Sequence, residues 1–412
     1  MIKTNVPKRY AVAQLGARMH YAVPRALASA DLLERFFTDG VSPKWLAYLI
    51  QIIPRFLDVG ILRRAAGRLS PKVLDGKIRA FPIFGLYYFL RRYMSRQPED
   101  RIYSFLWAGK RFSTLVRKCG FGKANAVYGF NSASLEIFQE ANQQGLKCVL
   151  EQTIVPKSYE MRLLEAEQKK WPIWEKHLNH TSPLQEFIQR EKKEWQLADT
   201  IVCGSAFVKD ALQQEGAPAK KCAVIPYGYA WEGKHKATTT GMPSCEKLKL
   251  LTVGTVNLRK GAPWLLALAT ALKDSVHFRW VGSLQISKEA QLEMLGHVEL
   301  TGAVPRLDMN IHYEWADALI LLSVCEGSAT VIYEALARGI PVICTTNSGP
   351  PLKNSKWQQI LPPCDTKAAL KSVQCFKRWK IDGCLPSVPE KEKLFVSYDA
   401  YVSRLTHVLS QS

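Results

Sequence analysis

The sequence predicts an α/β protein of two doubly wound domains facing a cleft. Three observations carry this reading. Strand-like runs alternate with helix-forming runs over most of the 412 residues, the pattern of parallel βαβ units. Residues 232–247, EGKHKATTTGMPSCEK, interrupt that rhythm with a polar, aperiodic stretch that reads as a linker. The length suits two to three domains of roughly 100 to 200 residues.

Taken in order, YAVAQL (10–15) is an apolar strand ending at Gly16, and a helix-forming run spans about 24–37. Residues 42–93 are apolar, aromatic and Arg-rich, and read as two or three amphipathic helices. Strands are expected near 126–128, 147–152 and 200–203, with helical segments within 158–195 between the last two. After the linker, LKLLTVG, HFRWVG, HVELTG, ALILLSV and IPVICTT read as strands, with APWLLALATAL as a helix. A last helical run, about 391–410, is expected to pack back across the first domain. The expected division is therefore 1–232, a linker at 233–247, 248–390, and a terminal helix at 391–412.

Composition narrows the function classes. A hydrophobic fraction of 47% with 22% charged residues describes an ordinary globular chain. Of the net charge of +20, residues 1–120 supply +15, from 22 Lys and Arg against 7 acids. The remaining residues hold 34 against 29, so one half is built to face an anion or a membrane. Ten cysteines form no CxxC pair, which argues against a zinc ribbon and for a reducing compartment. MIKTNVPKRYAVAQLG lacks the apolar core of a secretory signal, and WLAYLIQIIPRFLDVGIL is broken by Gln51, Pro54, Arg55 and Asp58. A soluble or peripherally bound cytoplasmic protein is expected.

Two segments carry chemistry. In LLSVCEGSATVIYEALARGIPVICT (321–345) a strand ends, the turn CEGS follows, and a helix is expected from about Ser328. Gly327 would let backbone approach a ligand, and the free amides of Ser328, Ala329 and Thr330 would form an anion site at the helix N-terminus. Glu326 stands at the carboxyl end of the strand, where open α/β sheets bind ligands, and Glu334 lies within reach of a neutral diol. In VGTVNLRKG (253–261) Arg259 and Lys260 follow a strand, and two cations there would neutralise a diphosphate.

On these residues the chain resembles the retaining GT-B glycosyltransferases of family 4, the glycosyl transferases group 1. Their E-G-x6-E-A-x-A-x-G-x-P-V motif stands here as Glu326, Gly327, Glu334, Ala335, Ala337, Gly339, Pro341 and Val342. ADTIVCGSAFVKDAL (198–212), VIPYGY (224–229) and TGAVPRLDMNIHYEWADALILLS (301–323) are similar to further family segments, in order, over roughly 195–375. The resemblance implies two Rossmann-like domains and a nucleotide-diphosphate sugar as donor substrate, with no other cofactor. It implies that Arg259 and Lys260 hold the diphosphate, which the amides of Gly327, Ser328 and Ala329 cap. It further implies that Glu334 binds ribose, Val304 offers backbone to the base, Glu326 contacts the transferred sugar, and Gly16 approaches from the first domain. No Asp-x-Asp occurs, which fits metal-independent transfer.

Two positions depart from the family. Thr255 stands where members often carry Arg, and the strand at 147–152, where a His is expected, ends in Glu151 and Gln152. Glu151 is either a substitute contact to the sugar or an unrelated acid. His20, after the first Gly loop, is a second candidate for a sugar or acceptor contact. His177 and His180 lie near Glu175 without further clustered ligands and read as an exposed helix end.

The basic first domain suggests an anionic membrane surface as partner, beside a glycan or lipid-linked acceptor; no nucleic-acid motif occurs. The rival functions are a nucleotide-sugar epimerase or phosphorylase of the same fold, and a non-catalytic membrane adaptor.

Overall fold

The computed structural model describes residues 8–42, 71–95, 97–176, 181–233 and 246–411. Two all-parallel sheets organise them. The first comprises β1 (Tyr10–Gln14), β2 (Leu33–Thr38), β3 (Ile78–Ala80), β4 (Ala126–Phe130), β5 (Lys147–Gln152), β6 (Thr200–Cys203) and β7 (Cys222–Val224), in the order β3-β2-β1-β4-β5-β6-β7. The second comprises β8 (Leu248–Val253), β9 (Val276–Val281), β10 (Val298–Gly302), β11 (Ala318–Leu321), β12 (Val342–Thr345) and β13 (Gln358–Leu361), in the order β10-β9-β8-β11-β12-β13. Helices cover both faces, so β1, β4 and β11 are buried along their whole length and read as near-continuous apolar runs, interrupted only by Gln14 at the end of β1. Each order reverses once, between β1 and β4 and between β8 and β11. At such switch points the carboxyl ends of the strands leave a crevice for a ligand.

The helix expected over 24–37 stops early. It spans Ala22–Ser29; Asp31 then takes a left-handed φ of 55°, and residues 33–38 form β2. Phe36 and Phe37, both fully buried, point to opposite faces of the sheet, a period of two that a helix could not satisfy. The C-terminal run divides into helices Glu390–Phe395 and Tyr398–Gln411. The second does cross to the first domain: Tyr398 donates to the Ala22 carbonyl at 3.1 Å, and Tyr10 donates to the Leu409 carbonyl at 3.1 Å.

A second crossing was not legible in the sequence. Helix Lys157–Lys170, which follows β5, leads into residues 171–176, and these dock on the other domain. Trp174 is 2% exposed, packed in the core of the second domain with Leu258, Ala262 and Leu265. Its carbonyl accepts from Ser287 N at 2.8 Å, and Trp171 stands edge-on to Trp264. A chain segment of the first domain therefore completes the hydrophobic core of the second.

Residues 234–245 of the expected linker lie outside the described residues, as do 43–70 of the basic aromatic segment and His177 and His180. What is described of residues 71–93 is a single 3-10 turn, Lys72–Leu74, the short β3 and one α-helix, Pro82–Met94.

Candidate active site

The two switch points face each other across a cavity of ≈ 400 Å³. From the second domain, the loops after β8 and β11 supply Arg259, Lys260 and Glu326. Asn257 sets the first loop. Its side chain accepts the Lys260 amide at 3.0 Å, closing a tight turn over Leu258–Lys260. Gly261 leaves that turn at φ 78°, and a Cβ there would sit 2.0 Å from the Leu322 carbonyl oxygen. Only glycine meets both demands. The Arg259 carbonyl then accepts the Val324 amide at 2.9 Å, tying the cation loop to the acid loop.

These contacts bring three charges together. Glu326 Oε1 lies 2.6 Å from Lys260 Nζ and 2.8 Å from Arg259 Nη1. Burial alone would raise the pKa of Glu326, but the two cations outweigh it and hold the carboxyl below its ordinary range. Burial lowers the pKa of Lys260, and Arg259 adds to this; Glu326 offsets it only in part. The cluster carries one net positive charge in a desolvated site, poised for an anion.

The first domain supplies Gln14, Arg18, Glu151 and Tyr227 to the opposite wall. Glu151 is 2% exposed, and its two oxygens accept one phenol each, Tyr128 at 2.8 Å and Tyr227 at 2.9 Å. Burial raises its pKa; the tyrosines and the charge of Arg18 work against that. Gln14 is fully buried. Its Nε2 donates to the carbonyls of Gly16 and Arg18, and its Oε1 has no partner among the described residues. A buried acceptor without a donor, on a cavity wall, suits a ligand hydroxyl. Sequence reasoning reached Glu151 but missed Gln14, Arg18, Asn257, Tyr128 and Tyr227. Of these only Gln14, a polar residue closing an apolar strand next to Gly16, carried a signal.

The predicted residues divide among several places. Arg259, Lys260, Glu326, Gly327, Ser328, Ala329 and Glu151 line the one cavity. Glu334 lines a second, of ≈ 350 Å³, with Tyr229, Trp231, Arg306 and Arg338; it lies one turn beyond Val331 on helix Thr330–Ala337. There it accepts the Tyr313 hydroxyl at 3.0 Å. Gly16, His20 and Val304 line neither cavity. The Gly16 amide donates to Asp39 at 2.8 Å, and Val304 is half-buried against the core. His20 belongs to a run, Met19 to Tyr21, with φ of 46°, 51° and 59°. Burial and the nearby Arg306 and Arg25 push its pKa down to about 4.

Two expectations at the anion site need correction. The helix begins at Thr330, and the Ala329 amide is not free: it donates to the Ser348 carbonyl at 3.0 Å. The amides of Gly327 and Ser328 have no partner among the described residues and remain as donors. The close approach at Gly327 is to protein. A Cβ there would stand 2.0 Å from the Thr153 carbonyl oxygen of the first domain, and the Gly327 carbonyl accepts Ser205 Oγ at 2.6 Å. The loop is thus part of the seam between the domains.

Residues 247–375, which hold the whole second sheet, match the family described as Glycosyl transferases group 1. The chain has the GT-B fold. Over 99% of its length it superposes on all of Anabaena Alr3699/HepE, solved in complex with UDP, with a TM-score of 0.60 at 12% identity. It is 31% identical over 142 residues, 34% of this chain, to a Bacillus subtilis glycosyltransferase, TuaC, named for teichuronic acid biosynthesis. It is 27% identical over 229 residues, 51% of this chain, to an Escherichia coli glycosyltransferase, WcaL, named for colanic acid biosynthesis. These matches span 36% and 54% of the two relatives.

Proposed function

We propose that the chain is a retaining, metal-independent glycosyltransferase of the family 4 type. It would move a hexose from a nucleotide-diphosphate sugar to a hydroxyl of a glycan or lipid-linked acceptor. The observation that carries the reading is the Glu326–Lys260–Arg259 cluster beside the amides of Gly327 and Ser328, opposite a wall of hydroxyl acceptors. Support comes from the family match over 247–375 and from HepE, whose crystals hold UDP.

In this reading the diphosphate lies on Lys260, Arg259 and the two amides, and the ribose reaches toward Glu334 on the helix that follows them, in the second cavity. The bond from the anomeric carbon to the phosphate oxygen breaks, and negative charge grows on the departing diphosphate. Lys260 and Arg259 are already fixed where that charge appears, so little reorganisation is needed. The acceptor oxygen bonds to the same carbon on the face the phosphate leaves, and its proton passes to the departing phosphate oxygen. Glu326 keeps the cations in register and faces the sugar. Glu151 and Gln14 Oε1 can only accept from hydroxyls while the carboxylate is ionised, so they orient the sugar or the acceptor. The reading is tested by release of nucleoside diphosphate from UDP-, GDP- and ADP-sugars, with Lys260→Ala as the site control.

A further inference from the structure

Helix Pro82–Met94 is apolar on both its inner and its outer face. Phe84 and Tyr88 face inward against Trp107 and Phe112. Ile83, Leu86, Tyr87, Leu90, Tyr93 and Met94 form one stripe at helical spacing and are 86, 62, 55, 46, 72 and 74% exposed. Apart from Arg92, which lies at the edge over Phe105, the exposed residues of this helix are apolar or aromatic. A continuous apolar stripe of this kind marks a contact surface.

Charge selects the occupant. Residues 72–118 hold 11 Lys and Arg against three acids, with Arg79 and Arg101 exposed on the flanking segments. A second copy would set one cationic rim against another. Nucleic acid would use the cations but leave Ile83, Leu86, Leu90 and Met94 in water. Apolar residues in the middle and arginines at the rim suit a bilayer with anionic headgroups.

The placement also fits. Gly85 packs so closely on Asp39 that a Cβ would sit 2.3 Å from its carbonyl oxygen, and Asp39 holds the Gly16 amide two residues before Arg18 on the cavity wall. The first turn of the helix, which carries Ile83 and Leu86, therefore stands near the carboxyl end of β2 and close to the Gly16 loop. We infer that the Pro82–Met94 face docks on an anionic membrane surface and presents the first domain's half of the cleft to an acceptor held there. The acceptor's identity rests on the transferase reading; the docking itself is measured without turnover, so either can fail alone.

The test is co-sedimentation of the full chain with phosphatidylcholine vesicles, with and without phosphatidylglycerol, at low and high salt. Binding should favour the anionic vesicles, weaken with salt, and fall at least about tenfold in Leu86→Glu/Leu90→Glu and in the charge-neutral Leu86→Ser/Leu90→Ser. Both pairs are surface residues, so the variants should keep wild-type circular dichroism and donor turnover. Three results would overturn the inference: no binding at low salt, equal binding by the leucine variants, or a wild-type dimer that those variants dissociate.

Discussion

Glu175, on the first-domain segment that crosses the cleft, accepts the backbone amide hydrogen of Leu258 in the second domain. Leu258 opens the turn that carries Arg259 and Lys260. The two cations of the proposed donor site are therefore set in part by a carboxylate from the opposite domain. Burial raises the pKa of Glu175, and the Leu258 amide and Arg259 offset this only in part. Glu175→Ala should weaken the thermal shift produced by a nucleoside diphosphate while leaving most of the stability intact. Trp174→Ala, beside it, should cost about 3–5 kcal/mol in urea denaturation, because it removes a fully packed indole. Wild-type nucleotide response in Glu175→Ala would show that the cation turn holds itself.

Glu151 should act on transfer and not on nucleotide binding. In Glu151→Gln the volume is kept and one phenol must turn to accept from the new amide. Turnover should fall at least about tenfold, in line with loss of an oriented contact, while the shift given by the nucleoside diphosphate alone stays unchanged. A parallel loss of both would place Glu151 in the diphosphate site instead.

Gly327 and Gly16 should respond differently to alanine. At Gly327 the new Cβ meets the Thr153 carbonyl, so the seam must open, costing about 1–3 kcal/mol. At Gly16 there is nothing within 4 Å, and the cost is the φ of 83° alone, about 1 kcal/mol. Chemical denaturation of the two variants compares them directly. Gly16→Ala should also keep its response to nucleoside diphosphate.

His20 gives a pH signature. Its folded pKa of about 4 lies below the ordinary 6.5, so the unfolded chain takes up this proton first as pH falls. The native state thus loses stability from His20 as pH drops from above 6.5 toward 4. Asn tolerates the left-handed backbone and does not titrate. His20→Asn should therefore lose less stability than wild type between pH 8 and pH 5. Identical pH dependence in the two proteins would mean that His20 is solvated.

Much of the second domain could be read from the sequence, because its strands are short, mainly apolar runs and two of its loops carry charge directly after them. LKLLTVG, ALILLSV and IPVICTT all proved to be strands, and the loops between them hold Arg259, Lys260 and Glu326. The first domain was harder for a physical reason. β2 is LERFFT, whose period-two burial is hidden by two adjacent phenylalanines, and β3 has only three residues. The Glu151–Tyr128–Tyr227 cluster joins residues from β4, β5 and the loop after β7, and the Trp174 crossing joins the two domains. Neither leaves a local pattern, because each depends on strand order and on domain packing.

The most direct measurement is nucleoside diphosphate release from UDP-, GDP- and ADP-sugars by wild type and by Lys260→Ala. The wild-type chain should turn over one donor class, and Lys260→Ala should lose at least about a hundredfold, the typical cost of removing one preorganised stabilising group. Glu326→Ala, which frees both cations of their carboxylate, should fail with it. Turnover in Lys260→Ala within about threefold of wild type, less than a tenth of the loss expected on that basis, would contradict the account.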